Sequence, residues 1–193
     1  MLRIGLTGGI GAGKSIIAQV LSIMGFPVFY SDQAAKSMME NDSAVIDKIK
    51  NAFGDEAYDN GKLNRKHLAD QIFAHDQLRE TLNAIVHPAV RKRFHEWCQV
   101  QETEIVFNEA AIIFETGTYT TYDATILVTA PEQLRIQRVM QRDSTTKEAV
   151  KARINKQWSF DRKSKLADYV IHNDDIQLVV PQIEKVVSQL LGD

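Results

Sequence analysis

The stretch Gly8-Gly9-Ile10-Gly11-Ala12-Gly13-Lys14-Ser15 decides the fold of this 193-residue chain, because it forms a complete GxxxxGK(S/T) loop. Alternating apolar residues before the loop predict a short buried strand, and apolar residues at helical spacing after it predict a helix that ends at Gly25. Between such elements, glycines let backbone N–H groups surround a phosphate, and the helix N-terminus adds partial positive charge. The motif therefore predicts a nucleoside triphosphate site, in which Lys14 meets the β- and γ-phosphates and the Ser15 hydroxyl holds Mg²⁺.

Composition limits the partners and the compartment that we expect for the protein. With 44% apolar residues, 25% charged residues and a net charge of −2, it has the composition of a soluble globular domain without general attraction to nucleic acid or anionic membranes. The chain contains no run of about 20 apolar residues and no N-terminal signal pattern, so we expect a cytoplasmic protein. Its single cysteine, Cys98, allows no intrachain disulfide. The oligomeric state is left open by the sequence.

Four further predicted strands alternate with helices after the loop. They cover residues 27–31, 105–107, 124–128 and 169–171. Together with the first strand they predict an α/β fold with a parallel five-stranded sheet covered by helices on both faces. Residues 43–95 predict a helical insertion, in which His87-Pro88 breaks one helix and a new helix runs from Pro88 to about Val100. The closing helix is predicted to run from Ile176 to Leu191.

Two carboxylates stand where predicted strands end. Asp32 follows the second strand, and Glu109 follows the third after Asn108. Ligands of open α/β sheets bind at the carboxyl ends of the strands, so Asp32 is a candidate for the same crevice as the loop. It is equally well explained as the N-cap of the helix that it precedes. The residues alone leave both interpretations of Asp32 open.

Three arginines recur on one face of the helix predicted after Pro131. Arg135, Arg138 and Arg142 are spaced i, i+3 and i+7. A solvated face is the commoner outcome of such spacing. However, the helix leads into a polar helical stretch, Thr145 to Arg162, that resembles a mobile lid, and lids of this kind bring arginines to the transferring phosphate.

Three classes of phosphate-loop protein are compatible with the loop itself: a kinase, a guanine-nucleotide switch and a motor ATPase. A switch needs NKxD and DxxG motifs, and the nearest match to the first, Asn155-Lys156-Gln157-Trp158, ends in Trp. A motor ATPase needs an acidic residue closing an apolar strand, and the predicted strand ends at Phe107. We therefore expect a small kinase.

Several segments match a known family in order and spacing. They are residues 4–15, Val28 to Asp32, Leu82 to Pro88, Phe114-Glu115, Gln141-Arg142-Asp143 and Ala167 to Asn173. Together they resemble the dephospho-CoA kinases over nearly the whole chain. The resemblance implies a P-loop NTPase fold and transfer of the γ-phosphate of ATP, with Mg²⁺, to the ribose 3′-hydroxyl of dephospho-CoA. The products are coenzyme A and ADP, in the last step of coenzyme A biosynthesis.

The resemblance also implies an organisation and a set of site residues. The chain is a single domain with a nucleotide core (1–42, 101–137 and 166–193), a helical CoA-binding part (43–100) and a lid (138–165). The implied ATP-binding residues are Gly9, Gly11, Ala12, Gly13, Lys14, Ser15, Ile16, Arg138 and Arg142. Asp32 and His87 are implied to bind the substrate, and Asp32, Lys14 and Arg142 to act in catalysis. Asp32 would accept or orient the proton of the 3′-hydroxyl.

The chain departs from the family pattern at three places. Tyr30 replaces the first carboxylate of an Asp-x-Asp pair, which concentrates the predicted proton transfer on Asp32. Ile16 replaces a common Thr, but its backbone N–H can still donate to a phosphate. Asn108-Glu109 stands before Ala110 and Ala111, where many members have an apolar residue and proline, so Glu109 is a candidate for an added carboxylate near magnesium.

Two alternatives remain beside this prediction. One is a kinase that phosphorylates a nucleoside or a nucleotide, and the other is a regulatory module that holds ATP without turnover. Either would use the same phosphate loop.

Overall fold

The computed structural model describes residues 1–192 as alternating strands and helices. In chain order they are β1 (Leu2–Gly8), α1 (Lys14–Ile23), β2 (Val28–Tyr30), α2 (Ser31–Asn41), α3 (Ser43–Phe53), β3 (Tyr58–Asp59), β4 (Lys62–Leu63), α4 (Arg65–Ala74), α5 (Asp76–Gln99), β5 (Ile105–Glu109), β6 (Ala124–Thr129), α6 (Glu132–Asp143), α7 (Lys147–Asn155), α8 (Phe160–Ser164), β7 (Tyr169–His172) and α9 (Val179–Leu191). No helix in this described part of the chain is long and apolar enough to cross a membrane.

Five of the strands form one parallel sheet in the order β2-β5-β1-β6-β7. This confirms the predicted α/β fold. The strand that precedes the phosphate loop, β1, lies at the centre between β5 and β6. Its residues Ile4 and Leu6 are fully buried, together with Phe107 on β5 and Val128 on β6. Since all five strands run in one direction, their carboxyl ends meet at the edge that carries the loop.

Helices α1 and α9 complete the core of the sheet. Ile17 and Leu21 on α1 and Ile183 and Val187 on α9 belong to the same buried cluster as the strand residues. Burial of these apolar stripes holds α1, and with it the end of the loop, against the sheet. The loop therefore leaves a fixed strand and enters a fixed helix.

The chain divides into two compact units, one made by Met1–Tyr30 with the residues from Gln101 onward and the other, helical, made by Ser31–Val100. Helix α2, which the sequence assigned to the nucleotide core, groups with this helical unit because it packs on α3 and α5. The hydroxyl of Tyr58 donates a hydrogen bond of 2.7 Å to the carbonyl of Met39 on α2. A core that includes Val45, Ile49, Phe53 and Leu68 fills the unit.

The predicted helix break at His87-Pro88 is wrong, because α5 runs unbroken from Asp76 to Gln99 with Pro88 inside it. Proline removes one helical hydrogen bond and its ring crowds the preceding turn. Buried side chains on both sides of it, Val86 and Val90, keep the two halves of the helix packed. Tertiary packing thus outweighs the local tendency of Pro88 to break the helix.

The closing helix also begins later than predicted, at Val179 rather than Ile176. The carboxylate of Asp174 accepts hydrogen bonds from the backbone N–H groups of Ile176 and Gln177, at 3.0 and 2.8 Å. This turn delays the helix and leaves Ile176 86% exposed. The hydrogen bonds, foremost that from the Gln177 backbone, lower the pKa of Asp174 to about 2.

A buried ion pair joins the turn after β5 to α8. Lys163, only 2% exposed, places its Nζ 2.6 Å from Oε1 of Glu115. The same oxygen accepts the backbone N–H of Trp158 at 3.1 Å. The other carboxylate oxygen of Glu115 is buried and has no hydrogen-bond partner among the described residues. The side chains of Lys163 and Glu115 are only 2% and 14% exposed, so each charge depends on the other for compensation.

We expect Glu115→Leu and Lys163→Met each to lower the free energy of unfolding by about 3–5 kcal/mol, because each leaves one charge buried without its partner. The double variant removes both charges and is expected to lose less than either single variant. Urea denaturation of the three variants and the wild type measures this coupling. Costs that simply add in the double variant would contradict the predicted dependence of one charge on the other.

Candidate active site

The phosphate loop joins the end of β1 to the first residue of α1, Lys14. Gly13 precedes the helix with φ of +91°, and no side chain caps the helix there. The N–H groups of a helix's first turn are left without intrahelical partners, so this uncapped end suits an anion. A Cβ on Gly13 would lie 2.0 Å from the side-chain nitrogen of Asn173. Both its backbone angle and its surroundings require glycine at this position.

The remaining ATP-binding candidates of the loop lie on this same turn. The Ala12 N–H donates to the Gly9 carbonyl at 3.0 Å, and the Ile16 N–H donates to the Gly13 carbonyl at 3.0 Å. These bonds fold the backbone into a compact cradle that runs through Gly11. Ser15 is exposed at the mouth of the cradle. Gly11 and Gly13 both take the left-handed backbone, with φ of +77° and +91°, that favours glycine.

Asn173 was not singled out from the sequence, yet it supports the loop directly. It is the first residue after β7, is 7% exposed, and donates a hydrogen bond of 3.0 Å to the carbonyl of Ala12. Its own carbonyl accepts a hydrogen bond of 3.0 Å from Arg138. Its position at the carboxyl end of a strand was the available signal.

Glu109 lies beside Lys14. The strand β5 extends to Glu109, not only to Phe107 as predicted, so an acidic residue does close this apolar strand. The sequence argument against a motor ATPase, that no acidic residue closes this strand, is therefore wrong. Glu109 is 7% exposed, and its Oε1 lies 3.9 Å from Nζ of Lys14. In the sheet it pairs with Leu6 on β1 and with Tyr30 on β2.

The oxygen donors at the loop fit a magnesium ion that is bound mainly through phosphates. Mg²⁺ in nucleotide sites takes one or two protein oxygens and completes its shell with phosphate and water. Ser15 offers a hydroxyl and Glu109 a carboxylate on the side of Lys14. Within residues 1–192, no group of three or more His, Cys, Asp or Glu side chains forms a metal cage of its own. The donor set thus matches metal that arrives with a nucleotide.

The three arginines of α6 have three different sets of partners. Arg135 donates from Nε to the carbonyl of Ile10 at 2.9 Å, and its burial lowers the pKa of its guanidinium, which remains charged. Arg138 pairs with Asp175 as well as with Asn173. The arginines are therefore not one uniform solvated face.

Arg142 pairs with the carboxylate of its neighbour Asp143. Its Nε and Nη2 lie 2.7 and 3.2 Å from the two carboxylate oxygens. Arg153 on α7 lies 2.8 Å from the same carboxylate. The hydrogen bond from Arg142 is the main reason that the pKa of Asp143 is lowered to about 2. The pair is solvent-exposed, so little energy holds Arg142 to Asp143.

Asp32 and His87 belong to the helical unit. Asp32 is exposed in the first turn of α2, one residue inside the helix, so it is not the N-cap residue. His87 lies on α5, which packs against α2. Burial, with the nearby charge of Arg91, lowers the pKa of His87 below its usual 6.5, so His87 is neutral at pH 7.

Comparisons with known proteins show the family to which the chain belongs. Residues 2–178 match the family model described as dephospho-CoA kinase. The chain belongs to the dephospho-CoA kinase family. A dephospho-CoA kinase of Bacteroides fragilis is 35% identical over 190 residues, covering 98% of this chain and 93% of that protein.

Two solved structures show the same fold. A Thermus thermophilus protein has a TM-score of 0.86 and 34% identity, covering 99% of this chain and 96% of that one. The dephospho-CoA kinase from Campylobacter jejuni has a TM-score of 0.70 and 27% identity, covering 97% of this chain and 96% of that one. As a member of this family the protein is a P-loop kinase, which excludes the switch and motor classes.

Proposed function

We propose that this protein phosphorylates the ribose 3′-hydroxyl of dephospho-CoA with ATP, giving coenzyme A and ADP in the last step of coenzyme A biosynthesis. Its membership of the dephospho-CoA kinase family carries this proposal. In the reaction the 3′-oxygen forms a bond to the γ-phosphorus, and the bond from that phosphorus to the β,γ-bridging oxygen breaks. ADP leaves with the bonding electrons, and the hydroxyl proton passes to a carboxylate.

Positioning and charge account for most of the rate in such a transfer, because the transition state is loose. The phosphates bind at the loop, on the predicted residues Gly9, Gly11, Ala12, Gly13, Lys14, Ser15 and Ile16. Lys14 neutralises the β- and γ-phosphate oxygens. Arg138 and Arg142 add positive charge from α6. For Arg142 this means exchanging the exposed carboxylate of Asp143 for a phosphate, which the weakness of an exposed ion pair permits.

Asp32 is the residue that we assign to the acceptor. It takes or orients the proton of the 3′-hydroxyl, and His87, neutral at pH 7, binds the same substrate. A carboxylate in the first turn of α2 also interacts favourably with the helix dipole. The helical part, residues 43–100, would hold the CoA moiety, and residues 138–165 would form the lid.

We assign the metal to Ser15 and Glu109. When bound, Mg²⁺ neutralises charge on the β- and γ-phosphate oxygens. A buried carboxylate beside a triphosphate would be repelled without a cation between them, and this supports the assignment of Glu109. Because Glu109 is the strand neighbour of Tyr30, its charge stands one strand away from the carboxylate that Tyr30 replaces. The reaction is proposed to take place in the cytoplasm, where ATP is available.

The function is tested by incubating the protein with Mg-ATP and one of three additions: dephospho-CoA, a panel of nucleosides and nucleotides, or no acceptor. Chromatography of the products is expected to show coenzyme A and ADP in the first mixture alone. Conversion of a nucleoside or nucleotide instead would overturn the proposal. Tight ATP binding without any product would favour a regulatory module.

Asp32→Asn is expected to lower kcat about 100-fold or more, because the amide cannot take the proton, while the KM for ATP stays unchanged. Steady-state kinetics with both substrates measures the effect. Asp47→Asn makes the same change at an exposed site on α3 and should match the wild type. Full activity in Asp32→Asn would remove Asp32 from its assigned role.

Glu109→Gln is expected to remove the gain in ATP affinity that Mg²⁺ brings, by about 10–100-fold, and to leave binding in EDTA equal or tighter. Calorimetric titration of ATP with and without Mg²⁺ separates the two effects and needs no turnover. Glu104→Gln, at the exposed residue just before the same strand, is the matched control for net charge. Equal weakening with and without metal would show that Glu109 only supports Lys14.

A further inference from the structure

Ile10 is held at three points on the outer side of the phosphate loop. Its N–H donates to the side-chain oxygen of Gln157 at 2.9 Å. Its carbonyl accepts from Nε of Arg135, also at 2.9 Å. Its side chain packs against a buried cluster on α6 and α7 that consists of Ile136, Val139 and Val150. The backbone N–H and the backbone carbonyl of Ile10 thus both have partners far away in the sequence.

The orientation of Ile10 matters because a phosphate loop works only if N–H groups face the anion and carbonyls face away. The Ile10 N–H is engaged by Gln157, so it is not available to an anion in the cradle. The Ile10 carbonyl is likewise engaged by the guanidinium of Arg135, whose positive charge offsets the negative end of the carbonyl dipole. A Cβ on Gly9 would lie 2.4 Å from a guanidinium nitrogen of Arg135, so glycine lets this side chain reach the backbone.

Gln157 is itself fixed by the connector between α7 and α8, residues 156–159. Its N–H donates to the carbonyl of Ile154 at 3.0 Å. The next N–H, that of Trp158, donates to the buried carboxylate of Glu115 at 3.1 Å. Ser159 then caps α8 by accepting the N–H of Arg162. The side-chain amide of Gln157 therefore projects from an anchored backbone.

We propose that Gln157 is a positioning residue for nucleotide binding. It holds the Ile10 peptide in place so that the other N–H groups of the loop face the phosphates before ATP arrives. It also ties the connector of residues 156–159 to the loop, so this segment takes part in shaping the cradle. The inference rests on the proposed function only for the identity of the nucleotide, since the acceptor does not enter it.

The test is Gln157→Leu, which keeps the size of the side chain and removes the acceptor oxygen. The Kd for ADP and the KM for ATP are expected to rise about tenfold, the equivalent of one lost hydrogen bond. The interaction is made equally in the ground and transition states, so kcat should stay within about twofold. The KM for dephospho-CoA should not change.

Hydrogen exchange at the Ile10 amide gives a readout that is independent of turnover. Exchange is expected to be slow in the wild type and fast in Gln157→Leu, with both proteins free of nucleotide. Gln157→Glu retains an acceptor oxygen and should keep the exchange slow, whatever its added charge does to ATP binding. Gln137→Leu, the same substitution at an exposed site on α6, should match the wild type in every measurement.

Two results would overturn the proposal. One is an unchanged Kd for ADP in Gln157→Leu although the Ile10 amide exchanges fast. The other is an equal rise in KM for both substrates with loss of thermal stability, which would indicate general loosening. A wild type that makes no coenzyme A would refute the proposed function but would leave the ADP-binding and exchange measurements valid.

Discussion

Close packing of distant side chains against the backbone of the phosphate loop is the constraint on which the rest of the structure depends. Asn173 from the end of β7 meets Gly13, Arg135 from α6 meets Gly9, and Gln157 meets Ile10. A loop made mostly of glycine has little preference of its own, since glycine is conformationally permissive. Its shape is therefore imposed by elements that come together only when β6 and β7 have joined the sheet. The nucleotide site is a product of the whole fold and not of eight residues.

The three cations that we predict to meet ATP share one feature. Lys14, Arg138 and Arg142 each have a carboxylate partner in this structure: Glu109, Asp175 and Asp143. Binding a triphosphate then exchanges one anion for another at these positions, rather than neutralising isolated charges. The exposed pair of Arg142 is the easiest to exchange, whereas Lys14 and Glu109 are both largely buried. The two kinds of pair therefore differ in how easily a phosphate can replace the carboxylate.

Sequence patterns predicted the loop, the five parallel strands and the kinase class, because each rests on local periodicity or on a motif with fixed spacing. They failed where distant packing decides. Buried neighbours keep α5 continuous through Pro88. The later start of α9 has a local cause, the turn in which Asp174 accepts the N–H groups of Ile176 and Gln177. Contacts between residues more than 100 positions apart, such as that of Gln157 with Ile10, produce no recognisable pattern in the sequence. The roles of Asp32 and His87 stay predictions, because they concern a substrate.

In the sequence, Tyr30 replaces a carboxylate of the family pattern, which suggests that the site has one carboxylate fewer. In the sheet, however, Tyr30 and Glu109 are direct neighbours on β2 and β5, although 78 positions separate them. The same edge can thus carry a carboxylate from either strand, because parallel strands bring their last residues together. Glu109 also neighbours Leu6 on the strand that leads into the loop, so a charge placed there stands nearer to Lys14 in the strand order than one on β2. The register of the sheet, rather than spacing in the sequence, therefore decides which carboxylates lie near this site.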